Sequence, residues 1–239
     1  MRIRDFSESD LLITFFTADK GILKGIAKGA RRSRKRFVNC LDFFCLADLE
    51  YRLNKKGGLH FISSGKLVNA YPVLRSDFTL LALASYMIEL TELLFPPELA
   101  DRDMFETLKD SLHLLGTEDK YDLVPIIFEI TAMTLGGYRI NLEKCCICGR
   151  EYTGAGAAAF KAEKGGIACL KCQQVTAVTP MVSPDTIKTM RRIQAEHISQ
   201  LKSLEWSKDI IPEIKPILKL HREFHLSHRP KTACYVDGA

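Results

Sequence analysis

Two pairs of cysteines constrain the fold of this chain more than any other feature. Cys145 and Cys148 form the first pair, Cys169 and Cys172 form the second, and twenty residues separate the pairs. This spacing is typical of a site in which four thiolates bind one zinc ion. Two such turns place all four sulfurs about 2.3 Å from the metal in a closed tetrahedron. A closed shell leaves no position for a substrate, so the sequence predicts one structural Zn²⁺.

Other interpretations of these cysteines fit the neighbouring residues less well. A redox-active pair needs a βαβ context, whereas residues 154–159 form a segment of glycine and alanine only. A disulfide belongs in an exported protein, and nothing in the sequence indicates export. Cys146 competes with Cys145 as a ligand, but Gly149 permits the turn that points N–H groups at sulfur. We therefore predict four metal ligands, Cys145, Cys148, Cys169 and Cys172, with Cys146 as a bystander.

Composition indicates an ordinary globular protein. The chain has 239 residues, of which 46% are hydrophobic and 26% charged, as in soluble domains. The first ten residues, MRIRDFSESD, contain no apolar leader. Charge or proline interrupts the apolar stretches, so no membrane span is expected. These features predict a cytoplasmic protein.

The positive charge is concentrated in one segment. The net charge is only +5, but Lys20–Arg36 contains eight basic residues and no acidic one. Such a cluster is typical of a surface that binds a polyanion, although a solvated loop is the alternative. Arginines grip phosphates bidentately, and an adjacent aromatic ring can stack on a base. The predicted DNA-binding residues are Lys24, Lys28, Arg31, Arg32, Arg34, Lys35, Arg36 and Phe37.

Patterning divides the chain into a strand-rich part and a helical part. Strands are predicted at 11–16, 21–28, 40–52 and 59–63, enough for a small barrel. Asp77 is a predicted N-cap, and helices are predicted at 78–95, 98–115, 121–135, 183–204 and 209–228. The expected fold class is α+β. The expected domains are 1–76 for nucleic-acid binding, 77–141 together with 179–239 as a helical domain, and 142–178 as an inserted zinc-binding module.

No residue pattern predicts catalysis. The P-loop, nucleophile-elbow and H-E-x-x-H motifs are missing from the sequence, so we expect no enzymatic activity. Asp101 and Asp103 could hold Mg²⁺ in a nuclease, and an RNA-binding zinc protein is a further alternative. His221, His225 and His228 have helical spacing on one face, which fits a metal site, a polar surface or an auxiliary DNA contact.

The order of several short motifs resembles the RecO family of bacterial recombinational repair proteins. The N-terminal motifs are DFSESD at 5–10, TADKG at 17–21 and GARRSR at 29–34. PVLR at 72–75 and FETL at 105–108 follow, and then the cysteine pairs with Gly165–Gly166 before the third cysteine. The resemblance extends over nearly the whole chain.

This resemblance implies an N-terminal OB-fold, a helical domain and a zinc module. It implies binding of single- and double-stranded DNA and annealing of complementary strands. It also implies a mediator role in the RecF pathway, in which the protein acts with RecR and binds the acidic C-terminal tail of single-strand binding protein. RecA would then be loaded on the gaps that single-strand binding protein had coated. The expected location is the bacterial cytoplasm, in association with the nucleoid.

Overall fold

The fold is mixed α+β, as the sequence predicts. A computed structural model describes residues 1–117, 122–174, 176, 179–203, 206 and 209–237. The chain forms two compact units: Met1–Ile88 with Phe95–Tyr121, and Glu89–Leu94 with Asp122–Ala239. The predicted three-part division stays a prediction, because each unit combines segments from it. No helix in the described part of the chain is long and apolar enough to cross a membrane.

The first unit is built on a five-stranded sheet. Its strands are β1 (Arg2–Asp5), β2 (Leu11–Thr17), β3 (Gly21–Ala27), β4 (Leu46–Arg52) and β5 (His60–Asn69). The strand order is β1-β2-β3-β5-β4, with β3 and β5 parallel and the other pairs antiparallel. Alternation along β2 places Ile13 and Phe15 in the core with Leu23 of β3 and Ile62 of β5. This burial fixes the strand register, because a one-residue slip would expose the apolar set.

The sheet is not the closed barrel that the sequence predicts. Within residues 1–76, all of which are described, β1 pairs only with β2, and β4 pairs only with β5. A cavity of about 130 Å³ lies between these two edges, lined by apolar side chains that include Ile3 of β1 and Leu46 and Leu49 of β4. Whether a sheet closes into a barrel depends on contacts between segments that are distant in sequence. The alternation of apolar and polar residues within one strand does not predict such contacts.

Helices follow the sheet in the first unit. They are α1 (Val73–Ser76), the first part of α2 (Phe78–Leu94) and α3 (Arg102–Leu115). Asp77 accepts a hydrogen bond from the Leu80 N–H at 2.9 Å, as expected of an N-cap. The predicted helix at 98–115 begins later than expected, because Asp101 caps it by accepting from the Met104 N–H at 2.8 Å.

Gly21 brings the sheet against the segment before α3. It has a φ of +70°, and a Cβ there would lie 2.0 Å from the Leu99 carbonyl oxygen. Only glycine permits this approach. Phe16 of β2 then packs edge-to-face on Phe105 of α3, with ring centroids 5.7 Å apart.

The second unit contains the remaining helices and a small sheet. The helices are α4 (Val124–Leu135), α5 (Pro184–Ala195), α6 (Ile210–His225) and α7 (Cys234–Asp237). The antiparallel sheet has the order β7-β6-β8, with β6 (Ala158–Lys161), β7 (Gly166–Ala168) and β8 (Met181–Val182). Ser183 caps α5 and Pro184 occupies its first turn, as predicted. The predicted helix ends at Tyr121 and Leu204 lie outside the described residues.

A buried ion-pair network connects the helices of this unit. Arg222 of α6 is 1% exposed and donates to Glu129 of α4 at 2.6 Å and to Asp237 of α7 at 2.5 Å. Arg229 pairs with the other oxygen of Asp237 at 3.0 Å. The network therefore joins α4, α6 and α7 through one guanidinium group.

Candidate nucleic-acid interface and metal site

The basic segment lies on a loop that begins where β3 ends. Gly29 has a φ of +65° and turns the chain into a single 3₁₀ turn, Ala30–Arg32. The Asp10 carboxylate accepts the Gly29 N–H at 2.8 Å, and the Ser9 carbonyl accepts the Arg31 N–H at 3.0 Å. The bond from Gly29 is the main cause that lowers the pKa of Asp10. The start of the loop is thus fixed to the turn between β1 and β2.

The predicted phosphate-binding side chains differ in their ion pairs. All seven basic residues are exposed. Arg31 lies 3.4 Å from Asp5, and Arg32 lies 3.8 Å from Glu8. Within the described residues, none of the other five cations forms an ion pair shorter than 4 Å. Arg36 donates to backbone carbonyls instead, and the remaining four are Lys24, Lys28, Arg34 and Lys35. These four groups carry the least compensated positive charge.

Arg36 and Phe37 have roles that the sequence did not predict. The Arg36 guanidinium donates to the Lys28 carbonyl at 2.6 Å and lies 5.0 Å from the Phe37 ring centroid. The hydrogen bond from Arg36 therefore stabilises the conformation of the loop. Phe37 is 6% exposed and belongs to the core of the sheet. Its ring cannot stack on a base without leaving that core, so the structure corrects the predicted stacking role.

The sheet extends the positive surface to residues that the sequence analysis missed. Lys24 of β3 pairs with Thr14 of β2, and Thr14 pairs with Arg2 of β1. Residues opposite each other in a ladder share a face, so Arg2 and Lys24 lie on one side of the sheet. Arg4 follows at the next alternate position and is also exposed. Charged and apolar residues alternate at Arg2, Ile3 and Arg4. This pattern could have identified the two arginines as exposed residues on one face of a strand.

The four predicted metal ligands come together in the second unit. Their sulfurs all lie within 4.8 Å of one another, and the Sγ atoms of Cys148 and Cys169 are 3.9 Å apart. A tetrahedral zinc site with 2.3 Å bonds has sulfurs about 3.8 Å apart, so the donor set and the spacing fit Zn²⁺. Cys145 and Cys148 occupy one turn, where Gly149 has a φ of +74°. Cys169 and Cys172 occupy the turn after β7. Cys146 is not in the cluster.

Backbone N–H groups favour the thiolate form of Cys145. Burial raises the pKa of Cys145, but the N–H groups of Cys148, Cys169 and Ile147 outweigh it and bring that pKa to about 6. One of these bonds, from the Cys169 N–H to the Cys145 sulfur, measures 3.3 Å. For Cys146, burial raises the pKa. The neighbouring thiols of Cys169 and Cys148 raise the pKa of Cys172 to about 12, so the pKa shifts do not separate the ligands from Cys146. The positions of the sulfurs do separate them.

The histidines of α6 do not form the exposed stripe that their spacing permits. His221 is 1% exposed and its Nε2 contacts the Tyr138 carbonyl at 2.7 Å. Burial lowers the pKa of His221 to about 4, although this hydrogen bond opposes the shift. His221 and His225 have ring centroids 4.4 Å apart, whereas His228 lies beyond the end of α6. His221 is therefore too buried to contact a phosphate, and the predicted DNA contact is wrong for this residue.

Comparisons with known proteins agree with this architecture. The chain matches two sequence families, "Recombination protein O N terminal" over residues 1–71 and "Recombination protein O C terminal" over residues 75–233. Its relatives include DNA repair protein RecO of Syntrophus aciditrophicus, 33% identical over 92% of this chain and 86% of that protein. DNA repair protein RecO of Desulfatibacillum aliphaticivorans is 30% identical over 99% of this chain and 93% of that protein. The chain thus belongs to the RecO family of DNA repair proteins.

Proposed function

We propose that this protein is a DNA-binding recombination mediator without catalytic turnover. The observation that carries the proposal is the loop of exposed cations, of which Lys28, Arg34 and Lys35 have no ion pair within 4 Å in the described residues. Cations without a close ion-pair partner are available to replace the counterions of a phosphate backbone. Arg2, Arg4 and Lys24 extend this charge along the sheet.

Strand annealing follows from this electrostatic arrangement. Two DNA strands repel each other through their phosphates, and a cationic surface that holds both strands lowers that repulsion. Base pairing then supplies the free energy of duplex formation. Backbone contacts carry no sequence information, so binding is expected to vary little with sequence and to weaken steeply with salt.

Membership of the RecO family supports a set of proposed partners. We propose that the protein acts with RecR and binds the acidic tail of single-strand binding protein, so that RecA is loaded on coated gaps. We also propose that one Zn²⁺ binds Cys145, Cys148, Cys169 and Cys172. The ion would neutralise the clustered thiolates and hold the two turns together.

Charge reversal tests the DNA-binding surface. In the double variant Arg34→Glu/Lys35→Glu, affinity for single- and double-stranded DNA should fall, because two phosphate contacts become repulsive. The slope of log K against log salt should become shallower by about 1 to 2, since each lost contact removes about 0.7 to 0.9. Titrations at several salt concentrations measure both quantities.

A matched control separates local contacts from net charge. Lys55→Glu/Lys56→Glu makes the same change in net charge in the exposed turn between β4 and β5. We expect this control to retain affinity and salt slope within about twofold of the wild type. If both double variants behave alike, the basic loop is not the DNA contact. Failure of the wild-type protein to bind DNA at low salt would reject the proposed function itself.

A further inference from the structure

A concavity beside the basic loop has features that binding to a phosphate backbone alone does not require. Its volume is about 830 Å³, and it is a half-open depression rather than an enclosed cavity. Three arginines line it, Arg31, Arg34 and Arg75, together with one carboxylate, Asp42, which lies 3.7 Å from the Arg75 guanidinium. Its apolar wall includes Leu11, Val38, Leu41 and Leu67. A phosphate backbone needs the arginines but not the apolar wall, so the wall points to a second part of the ligand.

Contacts within the first unit hold the segment that forms the concavity. Between the 3₁₀ turn at Ala30–Arg32 and β4, three buried side chains anchor the loop to the unit, and they are Phe37, Cys40 and Phe44. Arg75 donates to the carbonyls of Phe43 at 2.7 Å and Ala70 at 2.9 Å. Because these anchors act on both sides of the segment, the concavity is a fixed feature of the fold.

Asn39 contributes a polar group to this concavity. It adopts a φ of +52°, and Phe44 adopts a φ of +62°, conformations that non-glycine residues rarely occupy. Asn39 is exposed, and no group in the described part of the chain hydrogen-bonds its side-chain amide. A carboxamide offers two donors and an acceptor, which is the complement of a nucleobase edge.

We propose that this concavity binds the base of an unpaired DNA nucleotide. The proposal rests on the DNA-binding function proposed above and assigns a subsite to it. The apolar wall at Val38 and Leu41 covers the face of the base, Arg34 binds its phosphate, and Asn39 hydrogen-bonds its edge. A base within a duplex is stacked and already paired, so it would first have to be unpaired and extruded from the stack. The subsite therefore favours single-stranded over double-stranded DNA.

Photo-crosslinking of the wild-type protein tests the position of the base. The probe is an oligothymidine that carries one 4-thiothymidine, used alone or annealed to its complement. With the single strand, we expect the crosslinked peptide to contain residues 38–41. With the duplex, this adduct should be lost although the duplex remains bound. Adducts elsewhere, or the same adduct from the duplex, would overturn the proposal while leaving DNA binding intact.

A pair of valine variants tests the energetic contribution of the wall. Val38 and Val68 are exposed to 52% and 55%, but only Val38 lines the concavity. We expect Val38→Ser to weaken single-stranded DNA binding about fivefold, because it removes apolar contact with the base. Duplex affinity and salt slope should not change, and Val68→Ser should leave all three quantities unchanged. Equal single-strand affinities for the two variants would contradict the subsite. Since both side chains are exposed, neither substitution threatens the fold.

Discussion

The buried ion pair between Arg222 and Glu129 allows a quantitative test of what holds the second unit together. The substitution Arg222→Met keeps an apolar side chain of similar length but removes the cation. Both partners are 1% exposed and 2.6 Å apart, so their charge centres lie about 4 Å apart and attract by about 4 kcal/mol at an effective dielectric constant of 20. Removing one partner of such a pair typically costs about 3 to 5 kcal/mol, because the other charge stays buried.

Urea unfolding of the metal-loaded protein, followed by circular dichroism, measures this loss. The matched control is Arg192→Met, since Arg192 and Glu196 pair at 2.8 Å on an exposed face of the same unit. Exposed pairs contribute little to stability, so this control should unfold close to the wild type. The double variant Arg222→Met/Glu129→Leu should recover part of the loss, because it also removes the carboxylate that has lost its Arg222 partner. A loss below about 1 kcal/mol for Arg222→Met, or no recovery in the double variant, would refute this reasoning.

Three further predictions concern other parts of the chain. Because His221 has a folded pKa of about 4 and an unfolded pKa near 6.5, the unfolded chain binds a proton first as the pH falls. The free energy of unfolding should therefore decrease by about 2 kcal/mol between pH 7 and pH 5, and His221→Gln should abolish this part of the decrease in urea titrations. Cys148→Ala should reduce bound zinc well below one ion per chain by metal analysis, whereas Cys146→Ser should keep it; equal zinc contents would contradict the ligand set. Gly21→Ala should cost about 2 kcal/mol or more in thermal unfolding, because its Cβ would meet the Leu99 carbonyl. In contrast, Gly58→Ala, with open space and a φ of +86°, should cost about 1 kcal/mol.

Local spacing made the cysteine cluster predictable from the sequence. In each pair, the two residues between the cysteines let both sulfurs point at one metal ion. This geometry does not depend on the rest of the chain. The same holds for the caps Asp77 and Ser183, whose side chains bond N–H groups only three residues away. These features depend on contacts within one turn, and the structure reproduces them.

Burial by distant segments could not be predicted in this way. Arg36 and Phe37 are adjacent at the end of the basic segment. Nevertheless, the Phe37 ring is buried in the core of the sheet, and the Arg36 guanidinium donates to the Lys28 carbonyl. For His221, helical spacing identifies a face but not the Tyr138 carbonyl that covers it. The open edge between β1 and β4 is a further example, since strand alternation is the same in an open sheet and in a closed barrel.

The anchor between Asp10 and Gly29 has a consequence for the thermodynamics of binding. Ordering a backbone residue costs about 1 to 2 kcal/mol of conformational entropy, and a free basic loop would lose this entropy each time it met DNA. Here the Asp10 carboxylate and the Ser9 carbonyl already hold Gly29 and Arg31. The start of the basic loop is already ordered when the protein folds. Binding to DNA therefore loses less conformational entropy, and more of the attraction between arginine and phosphate contributes to affinity.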